Sequence, residues 1–181
     1  MSVVARLTEA GLGLDHDQLR LDTTTVEWVS AGDALRAQLV EVLTGFSVAV
    51  EQIGSASVVD LLAKPIIDIA VGAAPEQRLE PVRAQLESEG WIYRGDAGDD
   101  GGHVFVLEDR PWHRLAHVHV VALGGDQWSN YLRLRDLLRE SPSARERYAA
   151  VKRDLVEASG GDRSAYTTGK TAIVTSLIAA E

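Results

Sequence analysis

Cysteine is absent from this 181-residue sequence, which excludes a disulfide scaffold, thiolate-bound zinc and a cysteine nucleophile together. Any metal would have to be held by oxygen or by histidine. Basic residues are in deficit, with 18 Lys and Arg against 27 Asp and Glu and a formal net charge of -9. That balance argues against charge-driven binding to DNA or RNA, which needs clustered basic groups to neutralise phosphates. A nucleotide stays open as a ligand, because it needs only a few local basic groups and backbone amides. No run approaches the ~20 apolar residues of a membrane span. The start, Met1-Ser-Val-Val-Ala-Arg-Leu, has no basic stretch leading into an apolar one. The expectation is a soluble, cytoplasmic protein acting on a small molecule, with no nucleic-acid or membrane partner. No residue pattern fixes its oligomeric state.

What is present suits one globular domain: 45% hydrophobic and 25% charged residues provide both a core and a solvated surface. Residues 1–25 show no clear period, apart from a turn at Asp15-His-Asp and a short extended piece at Thr23-Thr-Thr-Val-Glu-Trp. Helical spacing begins after Ser30 or Asp33, either of which can cap, with Leu35, Leu39, Val42 and Leu43 in register and a stop at Gly45. Ser47 to Ile53 reads as a strand, followed by a short turn or helix to Leu62. Pro65-Ile-Ile-Asp-Ile-Ala-Val is the strongest strand signal in the chain. Pro75 to Glu89 is helical in pattern, with a break or restart at Pro81. Trp91-Ile-Tyr-Arg, His103 to Glu108 and Leu115 to Ala122 are further strands. The glycine- and aspartate-rich stretch Gly95–Gly102 is a flexible turn or a lid. Beyond Gly124-Gly125 three helices follow, capped or opened by Asp126, Ser141-Pro142 and about Ser164. The reading is an α+β fold: a mixed sheet to about residue 123, then a helical part over 126–179. Trp91 and Trp128 are expected as core anchors.

Chemistry concentrates between Ile53 and Ile69. Gly54 permits close approach to the backbone, and Ser55 adds a hydroxyl and an amide near a helix N-terminus, an arrangement that favours phosphate. Asp68 is the one charge inside an apolar strand, which requires a partner, a metal or a place at the sheet rim. A plain turn with a rim aspartate accounts for the same residues. His117 and His119 alternate on one face of their strand, where they can bind metal or phosphate, act as a base, or lie on the sheet surface. Lys64 can reach a phosphate or stand in solvent. Lys152 and Lys170 follow Tyr148 and Tyr166 by four residues on inward helix stripes, and at least one is expected to snorkel to the rim. Arg135 can offset an anion or simply pair with Asp136.

These segments together resemble the GrpB family: Gly54-Ser55, Ala63-Lys-Pro-Ile-Ile-Asp-Ile, His117-Val-His-Val-Val, Leu132-Arg-Leu-Arg-Asp-Leu-Leu-Arg, Tyr148-Ala-Ala-Val-Lys-Arg and Asp162-Arg-Ser-Ala-Tyr-Thr-Thr-Gly-Lys, spanning about 26–178. The family is similar to the nucleotidyltransferase superfamily, whose core is a small mixed sheet flanked by helices. The resemblance implies a GrpB-like domain over 26–181 acting on ATP or another nucleoside triphosphate with Mg2+. It would transfer a nucleotidyl group to a small acceptor or adenylate the acceptor's carboxylate. It further implies Asp68 as metal ligand and catalytic group, His119 as a catalytic group, and Gly54, Ser55, Lys64, His117, Arg135 and Lys170 around the nucleotide or substrate. The sequence departs from the pattern at Ala70, where a second acid is expected, at Gln52 and Ala116 where the family carries histidine, and at Val59-Asp60 in place of Pro-Gly. Asp60 is a candidate replacement carboxylate. The alternative implied by Ala70 is a non-catalytic module binding a nucleotide or anionic small molecule.

Overall fold

A strand that is apolar at nearly every position is stable only where both sheet faces are largely covered, and the 66–71 run, apolar except for Asp68, occupies such a place. The computed structural model describes residues 2–96 and 102–179. In chain order the elements are α1 (Val3–Glu9), β1 (Leu14–Asp15), β2 (Asp22–Thr23), α2 (Val26–Val42), β3 (Val48–Ile53), β4 (Leu62–Ala63), β5 (Ile67–Ala73), α3 (Leu79–Ser88), β6 (Ile92–Asp96), β7 (His103–Arg110), β8 (His113–Ala122), α4 (Asp126–Glu140), α5 (Pro142–Ser159) and α6 (Arg163–Ala179). The main sheet runs β3-β5-β8-β7-β6, with β1 added on β8, and β5 and β8 are its parallel pair. It is therefore the mixed sheet flanked by helices that the sequence implies.

The period of two along β5 and β8 sorts the residues onto two faces. Ile67, Ile69 and Val71 join Val118 and Val120 in one core with Leu7, Trp28, Leu35, Leu39, Val82 and Leu86 from α1, α2 and α3. The opposite face carries Asp68, Ala70 and Gly72 beside His117, His119 and Val121, their partners in register. Helix α4 covers one end of that face through Trp128, which packs with Ile53, Ala70 and Val121. A Cβ on Gly72 would lie 2.7 Å from the Trp128 ring, so this approach requires glycine. The other end, at Asp68, is left for the site. Trp91 and Trp128 are both buried, as expected of anchors.

Three boundaries differ from the sequence expectation. Helix α2 starts at Val26, because Thr25 accepts a hydrogen bond from the Trp28 amide and caps the helix a turn before Ser30. Helix α3 starts only at Leu79, which leaves Pro81 in the first turn, where its missing N–H costs nothing. At α4, Gly125 occupies the cap position and Asp126 is the first helical residue, its charge favourable at the positive end of the helix dipole. Ser141 and Pro142 open α5 as the sequence suggests, the Ser141 hydroxyl accepting from the Ala144 amide. The N-terminal segment carries definite elements: α1 places Leu7 in the main core and β1 pairs with β8. Of the Gly95–Gly102 stretch, residues 97–101 lie outside the described residues.

Candidate functional site

The site begins where β3 turns toward β5. Gly54 has φ +73 and ψ -178, a conformation open essentially to glycine alone, and its Cα faces the Asp68 carboxylate. One turn of 3-10 helix follows over Ser55–Ser57, fixed by the Ser57 hydroxyl, which donates to the Gly54 carbonyl at 2.7 Å. The Thr24 hydroxyl donates to the Ser55 carbonyl at 3.4 Å, tying the N-terminal segment to the same turn.

Asp68 lies opposite Ile53 on β3 and His117 on β8. Its Oδ1 is 3.1 Å from His117 Nδ1 and 3.4 Å from His119 Nε2. Ala70, across from His119, is too small to intervene, so the imidazole leans diagonally onto Asp68. Burial raises the Asp68 pKa, but the hydrogen bonds from the two rings prevail and hold it well below the usual carboxylate range. Burial keeps His117 below the ordinary histidine value in spite of Asp68, so the neutral ring donates its N–H to the carboxylate. Among the described residues, Asp68, His117 and His119 are a group of three with ligand atoms all within 4.8 Å of one another. Asp60 does not join them: it is exposed in a turn with φ +64, and its amide donates to the Thr24 carbonyl.

The lysines come from the helical part. Lys152 on α5 is only 1% exposed, and its Nζ donates to the Ser55 hydroxyl at 3.1 Å and to the Leu62 carbonyl. Burial depresses its pKa well below that of a free lysine, and the charges of Lys170 and Lys64 depress it further. Lys170 on α6 hydrogen-bonds the Tyr148 hydroxyl. That phenol holds it above the ordinary lysine value against the effect of burial, and Asp68 and Tyr166 add to the effect. Lys64 stacks its ammonium 4.6 Å from the Tyr166 ring centre. Burial pushes the Tyr166 phenol up to about 12. Gly54, Ser55, Lys64, Asp68, His117, His119 and Lys170 thus fall into one neighbourhood.

Arg135 does not join it. Its guanidinium bonds Glu51 at 2.9 Å, Asp136 at 2.7 Å and the Gln52 carbonyl at 3.2 Å, so it fastens α4 to β3. Two nearby carboxylates satisfy its fork better than a distant anion would. Lys152 is the residue whose place the sequence left undecided. Its signal was the four-residue spacing from Tyr148, and snorkelling is prevented because its ammonium finds oxygen partners inside.

Residues 18–180 match the family described as GrpB protein. The glutamate-rich protein GrpB of Alkalihalophilus pseudofirmus is 29% identical over 171 residues, covering 92% of this chain and 98% of its own length. The crystal structure of GrpB from Enterococcus faecalis superposes with a TM-score of 0.74 at 26% identity, over 88% of this chain and 97% of that one. The fold extends to the Cid1 poly(U) polymerase, in a structure with Mg 3'-dATP bound, at a TM-score of 0.52 and 12% identity, over 81% of this chain and 49% of that one. No helix among the described residues is long and apolar enough to cross a membrane. With the family match covering most of its length, this chain belongs to the GrpB family.

Proposed function

We propose that the chain binds a nucleoside triphosphate such as ATP in the cleft between the Gly54-Ser55 turn and the helical part. There it transfers the nucleotidyl group to a small acceptor or adenylates the acceptor's carboxylate. The observation that carries this reading is the gathering of Lys64 and Lys170 near Lys152, which itself donates to the Ser55 hydroxyl and is repelled by the other two. Three lysines gathered in a chain of net charge -9 are held protonated together by a multiply charged anion between them. The nucleotidyltransferase-like fold, shared with a polymerase solved with a nucleotide, supports the same ligand class.

In this reading the acceptor oxygen attacks the α-phosphorus in line, and the bond to the β-phosphate oxygen breaks. Pyrophosphate then leaves with that electron pair. A carboxylate acceptor brings no proton, and a hydroxyl acceptor loses its proton to solvent. Ser55 and the lysines hold the phosphates, while Asp68 and His119 orient the acceptor by hydrogen bonds. Mg2+ is the ion that the superfamily's chemistry implies, and it demands oxygen donors around an octahedron. Here one carboxylate stands between two imidazoles and position 70 is alanine, so these residues do not fit Mg2+ as a resident ion. The same alanine favours the second reading, a binding module without chemistry.

Calorimetry with ATP on the wild-type chain, Lys152→Met and Asp68→Ala, combined with a pyrophosphate assay, tests the proposal. Binding lost in Lys152→Met and pyrophosphate released only by the wild type are expected. Binding without pyrophosphate release selects the second reading, and equal binding by all three chains rejects the site.

A further inference from the structure

We propose that Asp68, His117 and His119 form a site for one borderline divalent transition-metal ion, of the zinc, iron and nickel class, in place of Mg2+. The inference goes beyond the nucleotide reading and does not depend on it, because it concerns the metal alone.

The donor set is one carboxylate oxygen and two imidazole nitrogens. Imidazole suits zinc, iron and nickel, whereas a hard ion such as Mg2+ is poorly served by nitrogen. The spacing agrees. Donors bound to one tetrahedral ion at about 2.0–2.2 Å stand roughly 3.3–3.6 Å apart. Asp68 Oδ1 is 3.1 Å from His117 Nδ1 and 3.4 Å from His119 Nε2. An ion drawn into this space takes the lone pair of the nitrogen facing Asp68 on each neutral ring, whose N–H moves to the far nitrogen, so the two ring N–H bonds to a single oxygen are replaced without net loss of a proton.

The ligands are also rigidly supported. Asp68 and His117 are direct partners in the parallel β5–β8 ladder, and His119 stands one pleat further on, opposite Ala70. A metal site on paired strands keeps its geometry better than one on loops. The two rings meet edge-on, with planes at 87° and centres 6.1 Å apart, so neither ring blocks the other's approach to Asp68. Three protein ligands leave at least one position for water or a substrate oxygen, as in open catalytic sites. The side chains are accordingly part-exposed, at 32% for Asp68, 16% for His117 and 19% for His119. Ala70 thereby acquires a reason. Losing the second acid removes the oxygen-rich environment of a hard ion and clears the ground on which His119 reaches Asp68. The far nitrogens, His117 Nε2 and His119 Nδ1, are buried without a hydrogen-bond partner. Such outer support normally strengthens a histidine ligand, so the affinity is expected to be weaker than that of a closed structural zinc site.

The test uses the untagged, metal-free full chain titrated with Co2+, followed by visible absorption and by Zn2+ competition. Expected are one equivalent of Co2+ with a ligand-field band, displacement by Zn2+ and none by a large excess of Mg2+. His117→Ala and His119→Ala should each weaken Co2+ binding at least about 100-fold, the upper range for loss of even an outer-shell partner. His113→Ala, whose imidazole pairs with Asp109, should not change it. Circular dichroism accompanies each variant, and His119→Gln replaces His119→Ala should that chain not fold. Undiminished Co2+ binding in folded His117 and His119 variants overturns the proposal. So does a folded wild type that binds no Co2+, or Mg2+ displacing Co2+ as readily as Zn2+ does.

Discussion

Gly54 lies directly against Asp68: a Cβ at position 54 would fall 2.8 Å from Oδ2 and 3.2 Å from Cβ of the aspartate. The turn that shapes one wall of the cleft therefore also fixes the carboxylate in its centre. Gly54→Ala must both adopt a glycine-only conformation and push Asp68 aside. A loss of about 1–3 kcal/mol in urea unfolding is expected from the backbone alone. Displacing Asp68 from His117 and His119 should additionally abolish Co2+ binding, whereas Gly45→Ala, with open space around it, should leave that binding intact.

Lys152 gives the protein a pH signature. Its folded pKa is lowered by burial and by Lys170 and Lys64. Between that lowered value and the ordinary 10.5, the unfolded chain therefore binds a proton that the folded chain lacks. Stability contributed through this group consequently rises with pH across that window and levels off near 10.5. Lys170 is shifted the other way, so its contribution is lost only above 10.5. Unfolding midpoints from about pH 7 to 10, below the ordinary lysine value, should climb more in the wild type than in Lys152→Met. Parallel curves contradict the assignment.

The same lysine should take up a proton when an anion enters. Calorimetric ATP binding above the lowered Lys152 value is then expected to show an enthalpy that varies with the ionisation enthalpy of the buffer, in the sense of net proton uptake. Lys152→Met should remove the variation. Proton release in the wild type would contradict the placement of the phosphates beside Lys152.

Arg135 is a fastener, and its loss should be felt in stability rather than in ligand binding. Arg135→Ala leaves Glu51, Asp136 and the Gln52 carbonyl without their shared donor. About 1–3 kcal/mol is expected in urea unfolding, kept modest by the solvent exposure of both carboxylates. Arg135→Lys should restore less than half, because a lysine lacks the planar fork. Co2+ binding should be unchanged in both variants.

Leu7→Ala tests how far the N-terminal segment belongs to the core. Leu7 is fully buried among residues of α2 and the sheet. The expected cost is about 2–5 kcal/mol in chemical unfolding, as for other buried leucines. A loss below about 0.5 kcal/mol, the usual range for a surface position, would show that α1 is dispensable.

The readability of the sequence followed the range of the interactions. The strands around Asp68 and the His-x-His pair announced themselves, because a short β-branched run and a period of two are local properties. Ser141-Pro142 marked α5 for the same reason. The start of α2 was obscured by three successive threonines, of which only Thr25 meets the Trp28 amide. Helix α1 is 7 residues long, too short for a periodic signal, and its existence depends on the pocket that receives Leu7. The site was legible as a list of residues but not as an arrangement. Position 135 carried the right charge for an anion and was claimed by Glu51, 84 residues away in the chain. Lys152 stayed inside because Ser55 and Leu62, about 90 or more residues earlier, offered oxygen at the right depth.

Val58 and Leu61, immediately beyond the Ser55 turn, are core residues of the helical part, packed with Leu138, Ala144, Tyr148 and Leu177. Sheet and helices are therefore riveted together through the very segment that forms the cleft wall. The two halves cannot gape like a clamshell without dragging Ser55 away from Lys152. On the proposed nucleotide reading, entry to the cleft would then fall to rim side chains such as Lys64 and Lys170 and not to a hinge. A ligand held there would meet walls that keep their shape, because the segment forming them is anchored in the helical core.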